Sequence, residues 1–383
     1  MRTFEYQAKE IFAKYKIPTP KGIVCESPEE AAAAFDAIGS EVVVKAQVMT
    51  GGRGKAGGVR FARSRQEAQA AADQILDMRI SDLPVSKVLV EERLQIASEY
   101  YLSIITDTDG YHGCPLLMIG ARGGMEVEEI ANQDPNAMRR VHIDPRYGVF
   151  PHHVLSNLVQ MPIAKKHHNQ IEKIARQLYQ AYWEMDGELA EINPLVVTAD
   201  DRVIAADARL YIDSNALFRH PELKPTFTNP FEQRAASARL AYVHLDGNIG
   251  IIANGAGLAM GTMDMVRVAG GRPANFLDPG ERIMHPGGLE AAFGIILDNP
   301  NVEAVLFNVF GGGVRCDRIA TRLVEVLSGL PNFNLPMVLC LRGRNEEEGQ
   351  RTIAAFGCKS IEMANSMEEA VERVVKLVKL GGK

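Results

Sequence analysis

Cysteine is scarce in this 383-residue sequence, with five residues, Cys25, Cys114, Cys316, Cys340 and Cys358. They are far apart and odd in number, and no CxxC pair occurs, so nothing points to a zinc site or a redox couple. They are expected as reduced thiols in the core of a cytoplasmic protein. No run of about 18 apolar residues is present, and the N-terminus lacks a basic start followed by an apolar stretch and a small-residue cleavage site. The chain is therefore expected to be soluble and untargeted. Strong charge is missing too: the net charge is −6, which gives no general attraction to nucleic acid or an anionic membrane, so an anionic ligand needs a local site. Low-complexity segments and short-period repeats are absent.

What is present is apolar content sufficient for two cores, 46% hydrophobic against 23% charged. Phe4, Ala8, Ile11 and Phe12 recur at helical spacing and predict a first helix between Thr3 and Tyr15. Ser27 followed by Pro28 starts a second helix, and the β-branched run from Glu41 to Val48 is a strand ending at a glycine cluster. Further strands are expected over Val85–Glu92, Tyr101–Asp107, Leu116–Gly120, Glu188–Thr198 and Val203–Leu210, with a hairpin turn after Asp107. A long amphipathic helix is expected over Ile163–Met185. Pro221, Pro225 and Pro230 interrupt a polar run that has the character of a linker, which places the domain boundary between residues 232 and 233. Beyond it, apolar strands over Asn248–Ala253, Arg272–Leu277, Val302–Phe307 and Met337–Leu341 alternate with helices, the rhythm of a doubly wound α/β domain with a parallel sheet.

Two constellations carry chemistry. Lys45 ends a buried strand and is followed by the cationic loop Thr50-Gly-Gly-Arg-Gly-Lys-Ala-Gly-Gly58. Backbone N–H groups, Arg53 or Lys55 from such a loop can meet phosphate oxygens while Lys45 approaches from the sheet. It is not a Walker motif, since no Gly-Lys-Ser/Thr occurs; a glycine-rich surface hairpin is the plainer reading of the loop alone. About 140 residues later, Glu191 and Asn193 alternate on one strand with Asp207 on the next, a set of oxygen ligands suited to magnesium. The second constellation is the strand running into Gly311-Gly-Gly-Val-Arg-Cys-Asp317 and then a helix, with a similar junction at Asn254-Gly-Ala-Gly-Leu258. Each turns backbone N–H groups and a helix N-terminus toward an anion, or else serves as a tight turn without ligand.

Taken together, Glu5-Tyr-Gln-Ala-Lys9, Gly51-Gly-Arg-Gly-Lys-Ala-Gly-Gly58, Glu191-Ile-Asn-Pro-Leu195, Asn215-Ala-Leu-Phe-Arg219, Leu245-Asp-Gly-Asn-Ile-Gly250, Asn254-Gly-Ala-Gly-Leu-Ala-Met260 and Phe310-Gly-Gly through Arg315-Cys-Asp317 resemble the motifs of the ATP-grasp β subunit of succinyl-CoA synthetase and its relatives. The resemblance runs nearly end to end. It implies an ATP-grasp domain over residues 1–232, with a lid subdomain at about 20–105, and a doubly wound, flavodoxin-like CoA-ligase domain over 233–383. By the same resemblance Lys45, Gly52, Arg53 and Gly54 contact nucleotide phosphates, Glu91 lies near the base, and Glu99 lines the nucleotide site. Asn193 and Asp207 bind Mg2+, and Glu191 holds a phosphorylated histidine of the partner. Asn254, Gly311, Gly312, Gly313 and Val314 surround the phosphate and the acid.

The implied reaction uses ATP rather than GTP. It proceeds through the histidine of an α subunit that also carries the CoA site, in an αβ or α2β2 assembly. Accordingly His142, His152, His153, His167, His168 and His220 are expected at the surface or in the linker. Departures from the family pattern place Arg282, His285, Arg342 and Arg344 on loops near the acid. Arginine suits bidentate carboxylate capture, and ATP-citrate lyase, a distant relative, uses an arginine at a position resembling Arg342. Succinate is the default acid, with citrate and malate as alternatives. A non-catalytic nucleotide-binding subunit is a further alternative, disfavoured because Lys45, Arg53, Glu191, Asn193 and Asp207 are all present.

Overall fold

The computed structural model describes all residues except 82, 109–112, 125–136, 224–226, 228, 312, 314, 331–332 and 382–383. The chain divides into two compact units, Met1–Thr226 and Phe227–Lys383. A cut between Glu232 and Gln233 would instead pass through the helix Pro230–Ser237, whose first turn is capped by Asn229 Oδ1 accepting the Phe231 N–H at 2.8 Å.

Unit 1 holds two larger antiparallel sheets and a short two-stranded ribbon, Arg79–Ile80 with Leu83–Pro84. It opens with α1 (Glu5–Lys14) and continues through β1 (Gly22–Cys25), α2 (Pro28–Ile38), β2 (Val42–Ala46), β3 (Val59–Ala62), α3 (Arg65–Leu76) and β4 (Val88–Glu92). The start of α2 follows from Ser27, whose Oγ accepts the Glu30 N–H at 3.2 Å, and from Pro28, whose missing N–H would have had no partner in the first turn. The smaller sheet has the order β1-β4-β2-β3. Its core joins Val42, Val44 and Val90 to Ala31, Ala68 and Ile75 on the two helices.

The larger sheet begins with β5 (Ile96–Asp107), β6 (Cys114–Gly120) and β7 (Met138–His142). After α4 (Pro151–Leu158) and α5 (His168–Glu184) it is completed by β8 (Gly187–Thr198), β9 (Val203–Ala205) and β10 (Arg209–Ile212). The order is β9-β8-β5-β6-β7, with β10 also on β8. Because β5 belongs to this sheet, the small subdomain ends near residue 93, and the expected extent of about 20–105 takes in a strand of its neighbour. Phe12, Val154 and Leu178 pack on one sheet face against Leu102, Ile104 and Ile192. The expected turn after Asp107 lies partly outside the described residues, although β5 and β6 pair as a hairpin up to Asp107 and Cys114.

Two expectations about side chains are corrected. His167, His168 and His220 are buried; His168 Nε2 meets Ile163 O at 3.0 Å and His220 Nε2 meets Asp186 at 2.8 Å, partners that satisfy an imidazole in the interior. Among the cysteines, Cys25, Cys316 and Cys340 are in the core, whereas Cys114 and Cys358 are half-buried.

Unit 2 contains α6 (Pro230–Ser237), β11 (Ala241–His244), β12 (Ile249–Ala253), α7 (Ala256–Val268), β13 (Asn275–Asp278), α8 (Gly288–Leu297), β14 (Ala304–Gly311), α9 (Cys316–Ser328), β15 (Met337–Gly343), α10 (Glu346–Phe356), β16 (Ile361–Ala364) and α11 (Met367–Gly381). The parallel ladder runs β12-β14-β15-β16. The segment expected as a strand over Arg272–Leu277 pairs mainly with β11, antiparallel. It touches β12 through a single parallel bridge, Ile249 to Pro273. Proline has no N–H to extend such a ladder. The side chain of Asn275 takes over instead, accepting the Ile251 N–H at 3.1 Å and donating to Ile251 O at 2.7 Å. Counting this contact, the spatial order is the flavodoxin-like 2-1-3-4-5, which reverses between β12 and β14.

Candidate active site

A cleft of about 740 Å3 in unit 1 is lined by Lys45, Arg53, Glu91, Glu191, Asn193 and Asp207, together with the loop 50–55 and the apolar Pro20, Val43, Phe61, Leu94 and Ile96. Lys45 reaches it because it is the fourth residue of β2, where the buried valines give way to the cleft. The loop after β2 folds back on itself, with Ala56 N–H on Gly52 O at 3.0 Å and Gly58 N–H on Arg53 O at 2.8 Å. Gly52 has φ of 76°, a left-handed conformation that a side chain would disfavour. Gly54 is exposed on the same loop.

The opposite wall is a break in a strand. Val203–Leu210 was expected to be continuous, but β9 and β10 are separate strands on β8, with Ala206, Asp207 and Ala208 between them. Leu195 faces Ala205 and Glu191 faces Arg209 in the same register, which sets Asn193 across from Asp207. The gap frees the Ala206 carbonyl from the ladder. It accepts from Lys9 Nζ at 2.8 Å and from Lys45 Nζ at 2.7 Å.

These groups form an alternating charge network. Glu5 Oε1 meets Lys9 at 2.7 Å and Lys45 at 2.9 Å, and its Oε2 meets Arg53 at 2.6 Å. Glu91 meets Lys9 at 2.6 Å and Lys45 at 2.7 Å. Arg53 also meets Asp207 at 2.6 Å. Burial is the strongest influence on Glu5 and raises its pKa, but Arg53, Lys45 and Lys9 together outweigh it and hold the carboxyl well below its ordinary value. For Lys45, burial acts downward and Glu5, Glu91 and Asp207 overcome it, so the ammonium is held charged.

Glu191 is buried in the wall of the same cleft, where it accepts the Tyr101 O–H at 2.9 Å and lies 3.2 Å from Arg209. Asn193 Oδ1 accepts the Gly124 N–H at 2.7 Å. The carboxylate of Glu91, expected beside the base, sits between the two lysines. Glu99 lies outside the cleft lining, close to Gly124, and its pKa is raised by partial burial. Sequence reading assigned no role to Glu5, Lys9, Tyr101, Phe61 or Ile96. The i, i+4 pairing of Glu5 and Lys9 on α1 was a visible signal; the other three carry none, because they converge through tertiary pairing. Phe61 and Ile96 are exposed apolar groups in the cleft, and Arg93 lies 4.9 Å over the Phe61 ring.

The second constellation gathers at the carboxyl ends of β12 and β14, where the strand order reverses and α/β sheets bind ligands. Asn254 Oδ1 accepts the Phe310 N–H at 3.2 Å and ties the two strand ends together. Gly255 has φ of 104° at the start of α7, and its N–H is held by Asp278 Oδ1 at 2.8 Å. Gly311 ends β14 opposite Gly343, and Gly313 follows it in the open. Gly312 and Val314 lie outside the described residues. Arg342 projects the other way along the sheet: its Nη1 donates to Asn365 O at 2.7 Å and its Nε lies 3.5 Å from Glu346. Arg344 is exposed and its carbonyl accepts the Cys316 N–H, while Arg282 and His285 lie at the 3-10 turn and loop before α8.

Residues 2–197 match the family model of the ATP-grasp domain, and residues 252–375 match that of the CoA-ligase. The β subunit of ADP-forming succinate–CoA ligase from Chlorobium phaeobacteroides is 42% identical over 390 residues, spanning 98% of this chain and 98% of that one. A GDP-forming succinate–CoA ligase β subunit from Thermus thermophilus is also 42% identical, over 99% of each chain. Among solved structures, ATP citrate lyase from Methanothrix soehngenii in complex with citrate and coenzyme A aligns with a TM-score of 0.76 over 98% of this chain and 99% of that one. At 17% identity that likeness speaks for the fold. With both domains matched in order and relatives similar over their whole length, the chain belongs to the succinate–CoA ligase β-subunit family.

Proposed function

We propose that this chain is the nucleotide-binding β subunit of an ADP-forming acid–CoA ligase, acting on succinate with ATP and an α subunit that supplies the CoA site and the phosphorylated histidine. The observation that supports it most is the convergence of Lys45, Arg53, Asn193, Asp207 and Glu191 on one cleft of the ATP-grasp unit. Lys45 and Arg53 would grip phosphate oxygens as the loop from Gly52 to Gly54 closes over them. Pro20, Phe61 and Ile96 offer an apolar wall for the base.

Asn193 and Asp207 are hard oxygen donors facing each other across the strand break, a set that fits magnesium completed by phosphate and water. Bound there, the ion would offset charge on the transferring phosphoryl group. Glu191 would accept a ring N–H of the incoming imidazole, fixing its tautomer and leaving the other nitrogen to attack phosphorus. The bond from that nitrogen to phosphorus forms as the bond to the ADP oxygen breaks. The phosphoryl group then passes to a succinate carboxylate. Finally the CoA sulfur attacks the acyl carbon and phosphate leaves. The loops at Asn254 and after Gly311 would hold the phosphate and acid through backbone N–H groups.

The test is CoA-dependent ADP release by this chain reconstituted with its α subunit, offered succinate, malate, citrate and itaconate in parallel. Preferential turnover of succinate is expected. Preference for citrate would overturn the choice of acid, and nucleotide binding without turnover of any acid would favour a non-catalytic subunit.

A further inference from the structure

Lys9 and Lys45 share the same three acceptors, although they come from different elements. Both contact Glu5 Oε1, a Glu91 oxygen and Ala206 O, all between 2.6 and 2.9 Å. Lys45 and Arg53 line the cleft, whereas Lys9 and Glu5 do not. Lys9 is 5% exposed, and it meets both carboxylates from α1, outside the residues that line the cleft.

Without Lys9, the charges of Glu5 and Glu91 would be met by Lys45 and Arg53 alone, two anions against two cations. A phosphate would then have to draw those cations away from buried carboxylates that had no other counter-ion, a costly separation in a poorly solvated interior. With Lys9 present the cluster carries one positive charge in excess before Asp207 is counted, and Asp207 is the least buried of the three acids. We infer that Lys9 is a positioning residue for the nucleotide: a buried counter-ion that neutralises Glu5 and Glu91 from outside the cleft lining, so that Lys45 and Arg53 can turn their charge to the phosphates. Its bond to Ala206 O also holds the strand break next to Asp207. The inference rests on the nucleotide-site reading above.

Charge balance makes an unusual prediction, because the two partners of one ion pair should act in opposite directions. The measurement is calorimetric titration of MgADP into the reconstituted complex, using wild type, Lys9→Met, Glu5→Gln and the double variant, each checked for folding by thermal melting. Lys9→Met is expected to weaken binding about tenfold or more. Glu5→Gln should bind at least as tightly as wild type. The double variant, which removes one charge of each sign, should return to within about threefold of wild type. A merely structural role for Lys9 predicts that both single variants weaken binding and that the double variant is no better than Lys9→Met; that result would overturn the inference. Should Lys9→Met fail to fold, the double variant decides alone, with wild-type affinity supporting the counter-ion role and weak affinity overturning it. Wild-type protein that does not bind MgADP would overturn the nucleotide site itself and this inference with it, whereas normal wild-type binding without charge rescue would overturn the counter-ion alone.

Discussion

The cleft of unit 1 and the strand ends of unit 2 are both proposed as anion sites, yet they are made of different materials. In unit 1 the working groups are side-chain charges held against one another at 2.6–2.9 Å, several of them buried. In unit 2 the proposed groups are backbone N–H groups at glycine turns, whose path is fixed by Asn254 Oδ1 on the Phe310 N–H and Asp278 Oδ1 on the Gly255 N–H at the start of α7. A site of the first kind depends on the identity and number of its charges. One of the second kind depends on backbone path, and many side chains around it can vary without altering what it presents.

The largest effect should come from removing one charge of the first site. Asp207→Ala takes away a proposed magnesium ligand and the partner of Arg53, and phosphoryl transfer from ATP to the α subunit is expected to fall by at least a factor of about 10²–10³. Labelled γ-phosphate appearing on the α subunit provides the readout. Transfer at the wild-type rate would remove Asp207 from the mechanism and show that the unit 1 site does not depend on each of its charges.

A smaller effect concerns acid. The Glu5 carboxyl is held below its ordinary value of 4.5 in the folded protein. Its contribution to stability is therefore complete above about pH 4.5, where the unfolded chain is also ionised, and is lost as pH falls through the folded value. Trp183, the one tryptophan in the sequence, lies on α5 and reports on unit 1. Urea titrations followed by its fluorescence should show the midpoint dropping below pH 4.5 in wild type and a flatter profile in Glu5→Gln. Equal slopes in the two proteins would mean that the network does not dominate the acid response of this unit.

Much of this was legible in the sequence, unevenly and for physical reasons. The valine run before Lys45 and the Ser27 cap with Pro28 at the start of α2 are local signals, and the structure places the elements where those signals do. Asp207 was legible as a residue, but the break around it was not: Val203–Leu210 has the composition of one strand, and its interruption goes with tertiary bonds from Lys9 and Lys45 to Ala206 O that composition does not show. Likewise β5 was expected within the small subdomain, since composition does not say which sheet a strand joins. Arg272–Leu277 was expected as an ordinary strand of the parallel sheet, while the role of Asn275 as a stand-in for backbone bonds emerges from the fold. Lys9 stood in a motif with no chemistry assigned to it, because beyond Glu5 its other two partners are 82 and 197 residues away in sequence.

The smallest effect should fall on Arg342, which by its residue type seemed the best argument for a more acidic substrate. Its guanidinium is committed to the Asn365 carbonyl and lies near Glu346, on the β16 side of β15, whereas the strand order reverses between β12 and β14. An exposed arginine in such contacts contributes little energy, on the scale of about 0–1 kcal/mol. Arg342→Ala is thus expected to change the ratio of kcat/KM for succinate over citrate by less than about fivefold, a shift within that energy range. The comparison of the two acids in wild type and variant checks this directly. A much larger loss confined to one acid would show that a side chain, and not the backbone alone, selects the substrate in unit 2, and the distinction between the two sites would narrow accordingly.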